Sequence, residues 1–459
     1  MKLWEHQELA VNKALSACKF GVFHEVGTGK TLTALTILRE TWNRNNRKPL
    51  RSLWITRASL TQATLREIDK VAPRITPYAL EIASNMKLTE RFDAIRSCSH
   101  ALFITNFNSF DHKPFWDVVR SWQPQVIIID EAHTIRNPSS KRAKRIVATT
   151  FSSQYVILLT GTPLLGGVMD SYNYLRMLGL LPEKQTLTDW RNRHFVYLAN
   201  QFKYEPLPGT DRVLMGQLAT KASWVKSQDV VELPPLIERT ETCELPLGLR
   251  KLYSTLAKEF VASAKEFVAS LGEGEVVVTD TIVTNLLRLR QICSGIVVTD
   301  KGEKLETIKK IETLREILTS YRHDQIIIWS CFVPTYLCLS KMLNDEGLTH
   351  GFCHGRMSPV ERARHIEEFQ SGKRQVLIAN ASSGGAGLNL QNARVAIYYS
   401  QGYSLEERSQ SEARNYRAGS SMHKTVERID IVTRDTVEEK ILQAVRQKKT
   451  LIELLESMI

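Results

Sequence analysis

Long apolar runs are missing from this chain. No segment approaches the ~20 uninterrupted apolar residues that a membrane-spanning helix needs, so integral membrane functions are set aside. The opening residues Met1-Lys2-Leu3-Trp4-Glu5-His6 hold no apolar stretch of the signal-peptide kind, and a cytoplasmic location (nucleoid-associated, or host cytoplasm for a viral chain) is expected. Cysteine is sparse too. The seven cysteines (18, 98, 243, 293, 331, 338 and 353) form no C-x-x-C pair and sit mostly inside apolar runs, which predicts reduced thiols and no zinc site. Low-complexity tracts are absent, and hydrophobic residues at 43% exclude wholesale disorder. What is in excess is positive charge. With 61 Lys and Arg against 49 Asp and Glu, the net charge is +12 and a polyanion is the expected partner, although a merely basic soluble enzyme satisfies charge alone. At 459 residues, two or three domains are expected.

The stretch Phe20 to Thr31 reads as a short apolar strand, a glycine turn and the start of a helix over Thr31 to Glu40. Gly27 and Gly29 permit a tight turn that aims successive N–H groups into one cavity, and the positive end of the helix completes a seat for a polyphosphate. Gly27, Thr28, Gly29, Lys30 and Thr31 are therefore the candidate nucleotide contacts. Lys30 would reach the β- and γ-phosphates, and Thr31 would hold Mg²⁺. The pattern G-x-x-x-x-G-K-[ST] is incomplete, because His24 stands at its first glycine position.

Along the chain, strands alternate with helices. Leu3 to Val11 has helical spacing and carries Gln7, which could simply face solvent. Ser52 to Thr56, Ala101 to Thr105, Val126 to Ile129 and Tyr155 to Leu159 read as strands buried on both faces, which describes a parallel α/β sheet. Polar clusters follow these runs at their carboxyl ends, where such sheets bind ligands. The rhythm breaks over residues 171–300, read as helical insertions and an interlobe linker, with helices at Leu175 to Leu181, Leu249 to Val268 and Thr284 to Cys293. It resumes with strands at Ile326 to Trp329, Gly351 to Cys353, Gln375 to Ala379, Val395 to Tyr399 and Arg428 to Val432, and a closing helix over Val437 to Met458. The expected fold is two parallel α/β lobes, residues 1–170 and 301–459, with the insertions between them.

Asp130 and Glu131 close the most apolar strand. Asp130 would hold Mg²⁺ through water, and Glu131 would orient and deprotonate the attacking water. In the second lobe, Gln410 to Gly419 contains Arg414 and Arg417, three apart and so on one face of a helix. Two such guanidiniums suit the neutralisation of a γ-phosphate in transfer, the arginine-finger role.

Taken in order, these segments resemble a superfamily 2 helicase core of the Snf2 type. His24-Glu-Val-Gly-Thr-Gly-Lys-Thr31 is similar to motif I and Gln7 to the Q motif. Thr56 to Leu60 and Ile104 to Phe107 are similar to motifs Ia and Ib, Ile129 to Asn137 to motif II, and Leu159 to Leu164 to motif III. Leu233-Pro-Pro235 and Leu287 to Cys293 resemble Snf2-type linker features. Trp329 to Phe332 is similar to motif IV, Ser383 to Leu390 to motif V, and Gln410 to Gly419 to motif VI. The resemblance implies two tandem RecA-like lobes, ATP and Mg²⁺ as cofactors, adenine recognition by Gln7, and a nucleotide-contacting Gln410. It also implies DNA contacts at Thr105, Asn106, Ser330, Gly384 and Gly385. His24, Ser382 and Ser420 depart from the family's usual acidic, Arg and Gln residues. Motif VI lacks the Q-R-x-G-R-x-G-R pattern, so the Asp-Glu-Ala-His letters do not imply an RNA helicase.

Lys141 to Arg145 and the Lys221/Trp224/Lys226 cluster are further phosphate-binding candidates. The activity expected is DNA-stimulated ATP hydrolysis by a monomeric motor that remodels branched DNA. Two alternatives stand: a duplex translocase that displaces or repositions bound proteins, and an ATP-gated DNA-binding scaffold with little turnover.

Overall fold

The computed structural model of the chain describes all residues except 1, 59, 83–85, 98–99, 165, 199–202, 271–279, 300–301, 306–307, 382–387, 448–453 and 455–459. The described residues fall into two compact units, Met1–Leu198 with Lys203–Val231, and the unit that contains Glu232–Ile459.

The apolar run Val126 to Ile129 shows how the first unit is layered. Val126 and Ile128 join one hydrophobic cluster, and Ile127 and Ile129 join another. A strand covered on both faces needs apolar side chains at every position, because successive residues point to opposite sides. In chain order the strands of this unit are β1 (Lys19–His24), β2 (Ser52–Thr56), β3 (Ala79–Glu81), β4 (Leu102–Asn106), β5 (Val126–Asp130), β6 (Tyr155–Leu159), β7 (Phe195–Leu198), β8 (Lys203–Pro206) and β9 (Ala222–Val225). All but β7 and β8 form a seven-stranded parallel sheet in the order β3-β4-β2-β5-β6-β1-β9. β7 and β8 pair separately as an antiparallel hairpin. Two helices matter for the site, α1 (Glu5–Ala17) and α2 (Lys30–Arg44).

The second unit contains β10 (Leu236–Cys243), the hairpin β11 (Ile296–Thr299) and β12 (Gly302–Leu305), then β13 (Ile326–Trp329), β14 (His350–Cys353), β15 (Val376–Ala379), β16 (Val395–Tyr398) and β17 (Val426–Thr433). Its six-stranded sheet, β10-β17-β16-β13-β15-β14, is parallel throughout. The same alternation holds, with Ile326 and Ile328 in one cluster and Ile327 and Trp329 in another. Two parallel-sheet lobes are therefore present, as the sequence predicts.

Residues 171–300 are shared between the units. They supply β9 to the edge of the first sheet and β10 to the edge of the second, neither of which sequence periodicity reveals. The helix expected over Leu175 to Leu181 is instead Ser171–Met177. It stops there because Gly179 adopts φ +67° and the Leu180 N–H turns back to the Leu175 carbonyl at 2.8 Å, a glycine-dependent helix end. The helix after the phosphate loop runs past Glu40 to Arg44. The closing helix runs over Val437–Arg446 and ends at Gln447; of the rest of its expected span only Leu454 is described, buried in the second unit's core. Among the described residues no helix is long and apolar enough to cross a membrane. Cys243, Cys293 and Cys353 are buried thiols.

In the second unit, the Lys310 ammonium lies 2.6 Å from both Glu438 carboxylate oxygens, and both side chains are 1% exposed. Glu438 also accepts the Thr433 N–H at 2.9 Å. Removing one member of a buried pair strands the other's charge, so Lys310→Met should cost about 3–5 kcal/mol. Lys310→Met combined with Glu438→Gln should cost less than the sum of the two single changes, as read by urea unfolding of the three variants.

Candidate functional site

The site starts from backbone geometry. Gly27 (φ +88°) and Gly29 (φ +81°) both occupy the left-handed region that favours glycine. At Gly29 a β-carbon would also lie 2.2 Å from the Gln7 amide nitrogen, so any other residue there would displace that side chain. Gln7 is 2% exposed, so the solvent-facing reading is corrected: α1 lays this side chain against the loop. Its Nε2 donates to the Thr28 carbonyl at 3.0 Å, and its Oε1 accepts the Trp4 N–H at 2.9 Å. His6 Nε2 donates to the same Thr28 carbonyl at 3.0 Å.

The carbonyls of His24, Glu25, Val26 and Gly29 are engaged as well. Lys30 Nζ donates to those of His24 (2.9 Å) and Glu25 (3.1 Å), and Thr28 Oγ1 donates to Glu25 (2.8 Å). Ser227 Oγ donates to the Val26 carbonyl at 2.8 Å, and Thr33 donates to Gly29 through its N–H (3.1 Å) and hydroxyl (3.2 Å). With those acceptors used, what the loop offers a ligand is N–H groups at the start of α2, the chemistry that holds a polyphosphate. Thr31 sits in the first turn of that helix, half-buried.

Sheet order brings the second element alongside. β5 and β6 pair, as do β6 and β1, so Asp130, Thr160 and the phosphate loop share the carboxyl edge of three adjacent strands. Asp130 Oδ2 accepts the Thr56 hydroxyl at 3.3 Å, and Oδ1 accepts the Glu131 N–H at 3.1 Å. Burial, reinforced by the Glu131 carboxylate and opposed by Lys30, pushes the Asp130 carboxyl up to about 7. Glu131 adopts φ +55° and ψ +50°, an uncommon left-handed conformation for a residue with a β-carbon.

His133 is a contact the sequence reading passed over, although the Asp-Glu-Ala-His run displays it. The ring is 2% exposed, with Nε2 at 3.0 Å from Arg57 Nη2, Nδ1 at 2.9 Å from Thr160 Oγ1, and Nδ1 at 3.4 Å from Glu131 Oε2. A guanidinium only donates, so Nε2 is bare and Nδ1 carries the proton. Burial, with Arg57, Arg136 and Lys30 adding to it against Glu131, lowers this histidine to about 4. It stays neutral and ties the Asp130-Glu131 turn to the ends of β6 and β2.

The second unit places Arg414 and Arg417 differently from the helical expectation. The helix Leu405–Asn415 ends at Tyr416, whose φ −98° and ψ +85° leave the helical region, so Arg417 lies beyond it. The two guanidiniums still converge: Nη1 of each donates to the Leu388 carbonyl, at 3.3 Å from Arg414 and 3.5 Å from Arg417. Arg414 is buried and Arg417 half-buried. Gln410 is buried, its amide at 3.3 Å from Glu406 Oε1.

The expected DNA contacts turn their side chains inward. Thr105 Oγ1 donates to Ser109 Oγ at 3.2 Å, and Asn106 Oδ1 caps the following turn by accepting the Ser109 N–H at 3.1 Å. Ser330 Oγ bonds to Thr335 Oγ1 at 2.8 Å. All three are at most 1% exposed, so these side chains shape their loops. Gly384, Gly385 and Ser382 lie outside the described residues. In the basic run, Arg142 pairs with Asp111, and Arg145 donates to the Phe110 and Asp111 carbonyls at 2.8 and 2.7 Å. Lys221 donates to the Leu178 carbonyl at 2.9 Å, whereas Trp224 is 39% exposed and packs edge-on to Phe23 at 4.9 Å.

The donor set fits magnesium. This ion binds through one or two carboxylates plus phosphate oxygens and water, so a buried Asp130 near the Thr31 turn suffices where a protein-only cage is not required. A divalent cation would also offset the burial that disfavours the Asp130 charge.

His24 is fully buried, with Nε2 at 2.7 Å from Ser223 Oγ and Nδ1 without a hydrogen-bond partner among the described residues. Protonation would create a second N–H with no acceptor. Burial first, then His6 and Lys30, lowers this group to about 3. An unfolded histidine binds its proton near 6.5, so the unfolded state holds more protons than the folded one over that window, and stability attributable to His24 is lost as pH falls below about 6.5. Asp130 works in the opposite sense, which makes the difference between variants the informative quantity. Between pH 7 and 5, wild type should lose about 2 kcal/mol more unfolding free energy than His24→Asn, measured by denaturant titration at each pH.

Residues 15–296 match the SNF2-related domain, and residues 309–419 match the helicase conserved C-terminal domain. The chain is 26% identical over 448 residues to an uncharacterized ATP-dependent helicase of Mycoplasma pneumoniae, covering 96% of this chain and 40% of that protein. It is 23% identical over 450 residues to the SWI/SNF chromatin-remodeling complex subunit snf22 of Schizosaccharomyces pombe, covering 92% and 26% of the two chains. The chain thus spans about 40% of the length of the first relative and less of the second. Among solved structures it is similar to the Sulfolobus solfataricus SWI2/SNF2 ATPase core in complex with dsDNA, with 20% identity, TM-score 0.43, and coverage of 100% of this chain and 93% of that one. Since the first of these domain matches extends over more than half of the chain, the protein belongs to the SNF2-related family.

Proposed function

We propose that the chain is a DNA-dependent ATPase that moves on DNA and remodels branched substrates. The observation that carries the reading is the phosphate loop, whose carbonyls are engaged by Lys30, Gln7 and Ser227 while Asp130 and Glu131 stand at the end of a neighbouring part of the same sheet. Lys30 and the loop N–H groups bind the β- and γ-phosphates, and adenine recognition by Gln7 would require its amide to exchange the Trp4 N–H and Thr28 carbonyl for the base. Glu131, steadied by neutral His133, orients water and takes its proton. Thr31 and, through water, Asp130 would hold magnesium, whose chemistry there would be charge neutralisation at the phosphates. Arg414 and Arg417 stabilise the charge that develops on the transferred phosphoryl group. The net charge of +12 supports a polyanionic track gripped mostly through phosphates, and hence salt-sensitive binding.

A second reading, duplex translocation that repositions bound proteins without strand separation, is favoured by relatives named for chromatin remodeling and by one named DNA repair and recombination protein RAD54-like, of Gallus gallus. The deciding experiment measures ATPase rate on single strand, duplex, fork and four-way junction at fixed salt, with strand displacement from forks compared with triplex displacement on linear duplex. Preference for branched DNA with fork displacement supports the first reading; triplex displacement alone supports the second.

Lys30→Ala should abolish turnover and leave DNA affinity within a few-fold, checked by phosphate release and fluorescence anisotropy. Arg417→Ala should retain nucleotide binding and lower kcat by roughly 10³-fold or more, as removal of an arginine finger does. Turnover at the wild-type rate would remove Arg417 from the reaction.

A further inference from the structure

The first half of the phosphate loop is held by a segment about 200 residues downstream. Parallel pairing of β1 with β9 continues past the strand, with the Glu25 N–H donating to the Val225 carbonyl at 2.9 Å. Three side-chain bonds follow. His24 Nε2 meets Ser223 Oγ at 2.7 Å, Glu25 Oε2 accepts the Ser227 N–H at 2.8 Å, and Ser227 Oγ donates to the Val26 carbonyl at 2.8 Å. Ser227 opens one short turn of helix, Ser227–Val230, after which Val231 is the last residue of the first unit. The residues that clasp the loop are therefore the last ones before the chain passes into the second unit.

Lysine geometry makes this clasp sensitive to a ligand. An ammonium has three donors, and two of those on Lys30 serve the carbonyls of His24 and Glu25. A polyphosphate that draws Lys30 toward itself competes with those carbonyls and frees residues 24 and 25 to reseat. Their bonds to Ser223 and Ser227 carry any such movement into the exit segment. We propose that Ser223 and Ser227 are positioning residues that set the phosphate loop and make residues 226–231 respond to nucleotide. The inference rests on the ATP-binding reading above.

Hydrogen exchange on the full chain tests it, with and without the magnesium complex of β,γ-imido-ATP, alongside binding of a fluorescent ATP analogue. In wild type, nucleotide should slow exchange of the 226–231 amides several-fold. In Ser223→Ala and Ser227→Ala, the analogue should still bind, with Kd raised roughly 2- to 12-fold, the worth of one net hydrogen bond. The 226–231 response should be lost in Ser227→Ala and restored in Ser227→Thr, which keeps the hydroxyl. Nucleotide that binds wild type without altering these amides, or a response that survives in Ser227→Ala, overturns the inference and leaves the ATP reading standing. Failure of wild type to bind the analogue overturns that reading and this inference with it.

Discussion

The rest of the molecule depends on the contact between Gln7 and Gly29. A β-carbon at Gly29 would lie 2.2 Å from the Gln7 amide, so the Gln7 side chain keeps its buried seat against the loop because that position is glycine. Gly29 alone does not form a ligand site, because a left-handed turn leaves carbonyls as well as N–H groups in need of partners. Here Gln7, His6, Lys30, Thr28, Thr33 and Ser227 satisfy those carbonyls. Removing acceptors from competition gives the loop its electrostatic sign and makes it a receptor for anions.

Sheet topology then decides which chemistry meets that receptor. Parallel strands end on the same edge, and β5, β6 and β1 are neighbours, so the acidic turn after β5 and the Thr160 turn after β6 arrive beside the loop. A carboxyl buried at the end of apolar strands is costly to ionise, which the upward shift at Asp130 expresses. Neutral His133 is the compatible neighbour. It adds no charge, yet hydrogen-bonds through both ring nitrogens, to Arg57 and Thr160, with Glu131 Oε2 3.4 Å from Nδ1. A protonated ring could not accept from Arg57, so the same burial that lowers its proton affinity preserves the connection.

Much of this was legible in the sequence, for identifiable reasons. Strands covered on both faces announce themselves as unbroken apolar runs, and Val126 to Ile129 is such a run. Glycines at +88° and +81° are visible because no other residue adopts that backbone freely. The edge strands escaped notice. β9 is Ala-Ser-Trp-Val, and β10 reads Leu-Ile-Glu-Arg-Thr-Glu-Thr-Cys with most of its residues exposed, so neither carries the two-faced apolar signal. Motif resemblance located Thr105, Asn106 and Ser330 but not the direction of their side chains, which depends on caps formed with Ser109 and Thr335. Spacing put Arg414 and Arg417 on one helix face, whereas Tyr416 ends the helix and the carbonyl of Leu388 brings the two guanidiniums together.

His24 shows how a departure from a pattern can be read physically. The position is fully buried at the end of β1, where an acidic residue would have to shed its hydration beside the carbonyl-rich start of the loop. An imidazole avoids that cost by staying neutral, and its Nε2 finds the Ser223 hydroxyl at 2.7 Å. The exchange works only if β9 delivers a small polar side chain at that register, with Ser223 opposite Val22 and Val225 opposite His24. The two positions therefore form one unit across about 200 residues of sequence. Through them the loop that receives the nucleotide is fastened to the edge strand as well as to its own helix.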